Sequence, residues 1–277
     1  MALFQTSKTL NLGGHLLDLS KPITMGILNI TPDSFYDGGK YKNADQIIQQ
    51  VEKMSSEGTK IIDIGGYSTR PNATNISENE ELERVLFAIE AILERFPNTL
   101  ISIDTFRANI AERAVQAGAK MVNDVSGGTL DDKMFETVAR LKVPYILMHM
   151  KGSPQTMTQL TNYDNLILEM TDFFQIQIAK LREIGVMDII LDVGLGFAKT
   201  IEQNYELIQK LDSFKIFELP ILVGASRKSM IWKKLHLSPA EALNGTTAVN
   251  TIALQNGANI LRVHDVKEAE QIIDLFF

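Results

Sequence analysis

Leu100-Ile-Ser-Ile-Asp-Thr-Phe-Arg107 runs from a short apolar strand straight into a carboxylate, Asp104, and then into a helix. Period-two alternation sets Ile101 and Ile103 on one face of the strand and Ser102 and Asp104 on the other. A strand followed at once by a helix belongs to a parallel sheet, whose strands are covered on both faces. A carboxylate placed there is costly unless donors meet it. Asp104 therefore either caps the following helix or accepts N–H groups from a cation, a run of amides or a ligand.

The same pattern recurs on both sides of this stretch. Met25–Ile30 carries Asn29, Ile61–Gly65 carries Asp63, and Met121–Val125 carries Asn123. Tyr145–Met150, Ile189–Asp192, Ile221–Gly224 and Ile260–Val263 follow, each succeeded by residues at helical spacing. Among the intervening helices, Ser77 with Glu80 reads as a capping box, and Gly58, Gly118 and Gly185 stand where helices should close. Eight strand–helix units with no linker-like break in composition predict one α/β domain over residues 1–277, a (β/α)8 TIM barrel. A doubly wound open sheet is the competing arrangement. Ahead of the first unit, Thr9 to Leu19 places Gly13-Gly14 between two apolar runs and predicts an N-terminal β-hairpin.

Composition narrows the class of protein. The chain has 277 residues, 45% hydrophobic and 22% charged, enough for one large core. It has no cysteine, which excludes disulfides and thiolate metal sites. A net charge of −7 argues against nucleic acid as a partner, though not against a local basic pocket. The first residues show no basic segment leading into an apolar run, and no span of the chain suits a membrane crossing, so a cytoplasmic protein without membrane partners is expected.

The polar residues then decide more than the composition. Asn29, Asp63, Asp104, Asn123, Met148-His149, Asp192, Lys228 and Arg262-Val263-His264 fall at or just past the ends of successive strands, the rim where barrel active sites are built. Helix capping would explain polar residues beyond the strands but not Asp and Asn within them. Asp104, Asn123 and Asp192, on three strands, suit a flat heterocycle with N–H donors, such as a pterin or guanine-like ring; two Asp could instead hold a divalent metal. Arg262, His264 and the polar loop after Asn29 suit a phosphate, and Arg262 and His264, two apart, share a face. Ser226–Ser229 follows a buried strand directly, which favours a role for Lys228 over a merely solvated helix start. His149 reads as a satisfied core histidine. Two rim loops, Thr31–Lys42 and Gly66–Ser77, are long enough to be substrate-binding elements. Asn29 with Asp33 or Asp37 would suit Mg2+ on a diphosphate.

These segments also resemble a known family. Gly26-Ile-Leu-Asn-Ile-Thr-Pro-Asp-Ser-Phe35, Ile61-Ile-Asp-Ile-Gly-Gly-Tyr-Ser-Thr-Arg-Pro71 and Ile101-Ser-Ile-Asp-Thr105 are similar to dihydropteroate synthase motifs. So are Val122-Asn-Asp-Val125, Met148-His-Met-Lys-Gly152, Gly224-Ala-Ser-Arg-Lys-Ser229 and Arg262-Val-His-Asp265, in the family's order over nearly the whole chain. The resemblance implies condensation of (7,8-dihydropterin-6-yl)methyl diphosphate with 4-aminobenzoate to 7,8-dihydropteroate in folate biosynthesis, by a homodimer that uses Mg2+. It assigns the pterin to Asp104, Asn123, Asp192 and Lys228, with Met148 and Phe197 as further substrate contacts. Mg2+ falls to Asn29 and Asp37, and the diphosphate to Thr69, Arg70, Arg262 and His264. Phe35, Ser68, Pro71 and Ser229 form the aminobenzoate pocket, and Asp104, Lys228, Asn29 and Arg262 carry catalysis. The chain departs from the family pattern at Tyr67 (usually Glu), Asn72 (Gly), Val193 (Pro) and Trp232 (Gly). A pterin-dependent methyltransferase shares the barrel and the Asp/Asn/Asp ring but has no use for a diphosphate site. A non-catalytic pterin-binding paralogue is the other alternative, raised by Tyr67.

Overall fold

A computed structural model describes residues 9–30, 39–68 and 76–277. Eight parallel strands close into a barrel. In chain order they are β3 (Ile23–Asn29), β4 (Ile61–Gly65), β5 (Leu100–Asp104), β6 (Met121–Asp124), β7 (Tyr145–Met148), β8 (Ile189–Asp192), β9 (Ile221–Val223) and β10 (Ile260–Val263). Each pairs with the next, and β10 closes the ring against β3 with Arg262 opposite Met25. The barrel is thus the expected one, and the open sheet is excluded.

Helices return the chain along the outside: α1 (Gly39–Ser56), α2 (Glu78–Arg95), α3 (Ala108–Gln116), α4 (Met134–Leu141), α5 (Leu166–Glu183), α6 (Ile201–Gln209), α7 (Ser229–Trp232), α8 (Leu243–Gln255) and α9 (Val266–Phe276). Strand alternation divides the core in two. Outward side chains such as Ile101, Ile103, Val122 and Leu147 pack with the helices. Inward ones at the strand starts, Met25, Ile61, Met121, Ile146, Ile190, Leu222 and Ile260, fill the barrel. The expected hairpin forms from β1 (Thr9–Leu12) and β2 (His15–Asp18), with Leu12 opposite His15. Its two-residue turn, Gly13-Gly14, takes φ of 65° and 92°, the left-handed pair a tight hairpin needs. Leu10, Leu12 and Leu17 of the hairpin are buried against the inward apolar layer, so the hairpin plugs the end of the barrel away from the rim.

Local expectations are mostly met, with instructive differences. Ser77 caps α2 by accepting from the Glu80 amide at 3.2 Å. The reciprocal half of the box is replaced, because Glu80 pairs with Arg84 one turn on. Helix α4 starts at Met134, and just ahead of it the Asp131 carboxylate accepts from the amides of Ala108 and Lys133. Among the described residues no helix is long and apolar enough to cross a membrane.

One glycine in the loop after β6 tests how tightly the rim is built. Gly127 has φ of 59°, and a Cβ there would stand 2.4 Å from the Met148 carbonyl oxygen. Left-handed backbone costs a non-glycine residue roughly 1–2 kcal/mol, and the backbone clash adds to it. Gly127→Ala is expected to lower unfolding free energy by more than about 2 kcal/mol. Urea titration of the variant checks this; a loss below about 0.5 kcal/mol would show that the loop is not pinned against β7.

Candidate active site at the barrel mouth

Above the apolar layer the inward positions change character. Asn29, Asp63, Ser102, Asp104, Asn123, Met148, Asp192 and Arg262 continue the inward rows of their strands toward the C-terminal end. Register aligns them: Asp63 lies opposite Ser102, Asp104 opposite Asn123, and Met148 opposite Asp192. The sequence-predicted ring residues are therefore brought together.

Arg262 lies between the acids. Its Nε donates to Asp63 Oδ2 and its Nη2 to Asp104 Oδ2, both at 2.6 Å. The same Asp63 oxygen accepts from Asn123 Nδ2 at 3.0 Å. Asp63 is fully buried, and its other oxygen has no partner among the described residues; neither has the hydroxyl of Ser102 opposite it. Burial pushes the Asp104 carboxyl up to about 7 against the pull of Arg262, with Asp63, Glu81 and Asp124 adding repulsion. Burial lowers Arg262, but Asp63 and Asp104 outweigh it and hold the guanidinium above its ordinary value.

Across the mouth, burial also raises Asp192, opposed by Lys228 and by the Gly194 amide, which donates to Asp192 Oδ1 at 2.7 Å. Lys228 is half-buried. Its ammonium donates to the Leu195 carbonyl at 2.5 Å and sits 4.8 Å from the centre of the Phe197 ring. Burial lowers it to about 8, Asp192 resisting and Arg262 reinforcing the shift. Met148, Val125, Met150 and Met157, with Phe106 and Phe197, form an apolar cluster beside these groups. The site thus combines carboxylate acceptors, an amide, cations and an apolar wall, which suits a flat, N–H-bearing ring.

Other expected residues stand further out. Ser229 is exposed at the start of α7 and Ser68 is half-exposed after β4. His264 is exposed too, its amide donating to Ser226 Oγ at 3.2 Å. It lies past Val263, where β10 ends and alternation no longer fixes direction. Arg262, expected to face a phosphate, is turned onto Asp63 and Asp104. Phe35, Asp37, Thr69, Arg70 and Pro71 lie outside the described residues, as do Asp33 and Asn72. His149 is a buried core histidine, held neutral by burial and by Lys199 with its ring lowered to about 2.

Two supporting groups carried no signal as site residues. Glu81 of α2, fully buried, accepts from Thr105 Oγ1 at 2.7 Å and from Arg107 Nη1 at 2.6 Å, fixing the chain just after Asp104. Asp124, beside Asn123 but facing outward, accepts from the Tyr145 hydroxyl at 2.6 Å and from the Ser126 and Gly128 amides. Tyr67 is buried. Its ring meets Phe106 edge-on at 5.2 Å, and its hydroxyl accepts from Gln155 Nε2 at 2.8 Å.

A cleft of about 500 Å³ lies at the opposite end of the barrel, lined by His15, Lys60, Arg95 and Asn98; none of the inward acids lines it.

Comparison with known proteins gives the family. The family model described as "Pterin binding enzyme" matches residues 25–264. The chain is 48% identical over 267 residues to the dihydropteroate synthase of Synechocystis sp., covering 95% of this chain and 92% of that one. Against the Escherichia coli enzyme identity is 43%, over 92% of this chain and 90% of the relative. A Yersinia pestis dihydropteroate synthase with a sulfonamide drug complex superposes with a TM-score of 0.89 at 42% identity, covering 96% and 97% of the two chains. A Xanthomonas albilineans dihydropteroate synthase with 4-aminobenzoic acid gives 0.90 at 35% identity, over 98% and 97%. The chain therefore belongs to the dihydropteroate synthases of the pterin-binding enzyme family, transferases of folate biosynthesis.

Proposed function

We propose that the barrel mouth divides into a ring site and an outer anion site, and that the two together join a dihydropterin to 4-aminobenzoate. The ring site comprises Asp104, Asn123, Asp192 and Lys228, with Met148 and Phe197 as apolar contacts. The observation that carries it is the convergence of these side chains, from five strands and their loops, on one polar layer above an apolar plug. Carboxylates accept the N–H groups of a 2-amino-pyrimidine edge, and Lys228 donates to ring nitrogen or oxygen.

The outer site would take the diphosphate on Arg262 and His264, with Thr69 and Arg70. Neither bond that Arg262 makes to Asp63 and Asp104 uses Nη1, so that nitrogen is assigned to a phosphate oxygen. Phe35, Ser68, Pro71 and Ser229 would hold the aminobenzoate. The 4-aminobenzoic acid and sulfonamide named for the Xanthomonas and Yersinia relatives support a site for that class of ligand here.

Asn29 would hold Mg2+ with Asp37. A Cβ at Gly65 would stand 3.5 Å from Asn29 Oδ1 and 3.7 Å from Asp104 Oδ2, so the bare glycine keeps the space between them open. Among the described residues no group of three acidic or imidazole ligands could build a metal cage. A single amide oxygen at the rim suits a cation bound mostly by phosphate and water, as Mg2+ commonly is. When bound, the ion neutralises charge on the departing diphosphate.

The reaction then needs little protein chemistry beyond placement and field. The exocyclic C–O bond breaks and diphosphate leaves with the electron pair. Positive charge develops on the dihydropterin methylene, and the arylamine nitrogen forms the new C–N bond and sheds its proton. Asp104 and Asp63 face that charge in a low-dielectric interior, where preorganised groups stabilise it most. A neutral arylamine needs no strong base, and positioning contributes the rest. The barrel and the Asp/Asn/Asp ring would serve a methyltransferase as well, but the relatives named above are dihydropteroate synthases, so the methyltransferase and paralogue readings are not favoured. The homodimer and the cytoplasm as compartment remain part of the proposal. Leu235, Leu237 and Ile252 stand exposed and would supply apolar surface for a second copy, which sedimentation at micromolar protein should reveal as a dimer.

Steady-state turnover with pterin diphosphate, 4-aminobenzoate and Mg2+ tests the reading directly. Asp104→Asn should remain folded and lose at least about tenfold in kcat/KM, since a hydrogen bond to a charged group contributes about 1.5–3 kcal/mol. Near-normal kinetics would refute the ring site. Arg262→Ala should cost about 3–5 kcal/mol of stability, because it leaves Asp63 and Asp104 without their cation, Asp63 keeping only the Asn123 amide. Arg262→Lys should recover much of that loss. A change under about 1 kcal/mol in the alanine variant, read in urea, would show that the acids do not depend on the guanidinium.

A further inference from the structure

Lys199 has no part in the roles above, yet its ammonium is buried within four acceptors. Nζ donates to the carbonyls of Phe197 at 2.9 Å, Gly194 at 3.1 Å and His149 at 3.3 Å, and lies 3.2 Å from His149 Nδ1. His149, held neutral, can offer that nitrogen as an acceptor only in the tautomer protonated at Nε2. Carbonyl dipoles converging on one point repel one another unless a cation sits there. The turn that supplies them is tight: Gly194, Gly196 and Ala198 all have positive φ, and 50° at Ala198 is a strained value for a residue with a side chain. Burial lowers Lys199 to about 7, with Asp192 opposing and Lys228 and Lys151 adding to the shift.

The caged turn touches the ring site at several atoms. The Gly194 amide donates to Asp192 Oδ1 at 2.7 Å, and the Leu195 carbonyl accepts from Lys228 at 2.5 Å. The Phe197 ring faces Lys228, and the His149 amide donates to the Asp192 carbonyl at 3.0 Å. We propose that Lys199 is a positioning residue for the pterin: its ammonium, caged by the carbonyls of His149, Gly194 and Phe197, holds the turn Gly194–Ala198 in the form that aims Asp192 and Lys228 at the ring. The proposal rests on the ring site assigned above. It gives the lysine an electrostatic task without any contact to substrate.

The test uses the full-length protein, with calorimetric binding of 6-hydroxymethylpterin at fixed ionic strength. Lys199→Ala should fold and bind the pterin at least about tenfold more weakly, a change of about 1.4 kcal/mol. Ethylammonium, small enough to enter the space left by the lysine side chain, should restore most of the lost affinity in a saturable way. Tetramethylammonium, which has no N–H, should not. A packing role for the alkyl stem alone would not respond to the difference between the two ions. Wild-type affinity in the folded variant, or a loss that ethylammonium leaves untouched, overturns the proposal. Should Lys199→Ala not fold, Lys199→Gln, which keeps two N–H donors without the charge, is to be measured the same way. It should fold and bind at least about tenfold more weakly, and wild-type affinity there overturns the proposal, as does failure of both variants to fold. Asp192→Asn serves as the control. If it too binds pterin normally, the ring site itself is wrong, whereas a loss there with normal Lys199 variants condemns the positioning role alone.

Discussion

The guanidinium of Arg262, held between Asp63 and Asp104, is the interaction on which the site depends. A barrel interior normally fills its layers with branched apolar side chains, and β3 to β10 do so near their starts. Higher up, three carboxylates enter the same enclosed space. Each would cost several kcal/mol if left unpaired. Arg262 satisfies two of them, while Lys228 and the Gly194 amide attend the third. The polar layer is therefore held by contacts within the protein, and preorganisation of this kind lowers the cost of binding. Three acids against two cations leave the ring site with an excess of negative potential. In the proposed arrangement that excess would repel a diphosphate from the ring site and favour positive charge on the ring side of the breaking bond.

Most of this is legible in the sequence, for a geometric reason. In a strand an Asp two positions past an inward isoleucine must also point inward, so Asp63 after Ile61 and Asp192 after Ile190 announce a polar layer. Repeating that inference over eight strands gives both the barrel and its active end. The hairpin is legible from two glycines, because few other residues accept two successive left-handed conformations. What stays hidden is pairing. Nothing in Arg262-Val-His-Asp265 says that the arginine will turn onto Asp63, 199 residues earlier in the chain, with two of its three nitrogens committed to carboxylates. Asp63 itself stands out as a rim residue, but its bridging of Arg262 and Asn123 needs the closed barrel to bring β10, β4 and β6 together. Glu81 and Lys199 escape notice because charged residues on helix faces or in loops are usually solvated, and Asp124 because it ends β6 on the outward face; only packing reveals their partners.

The region around Tyr67 shows how such hidden pairs can absorb a departure from the family pattern. Arg107 lies 5.4 Å from the ring centres of both Tyr67 and Phe106, donates to the carbonyl of Ile76, and is anchored by buried Glu81. One guanidinium thus holds the residues on either side of positions 69–75, with its charge already met by Glu81. A glutamate at position 67 would add a second carboxylate to that pair. Tyrosine offers the guanidinium an aromatic face instead and sends its hydroxyl to Gln155 in the loop after β7. The tyrosine therefore links this segment to the loop after β7 without adding a negative charge beside Glu81 and Arg107. In electrostatic terms it leaves the inward acids Asp63, Asp104 and Asp192 untouched, because strand register sets them and they do not depend on the loop.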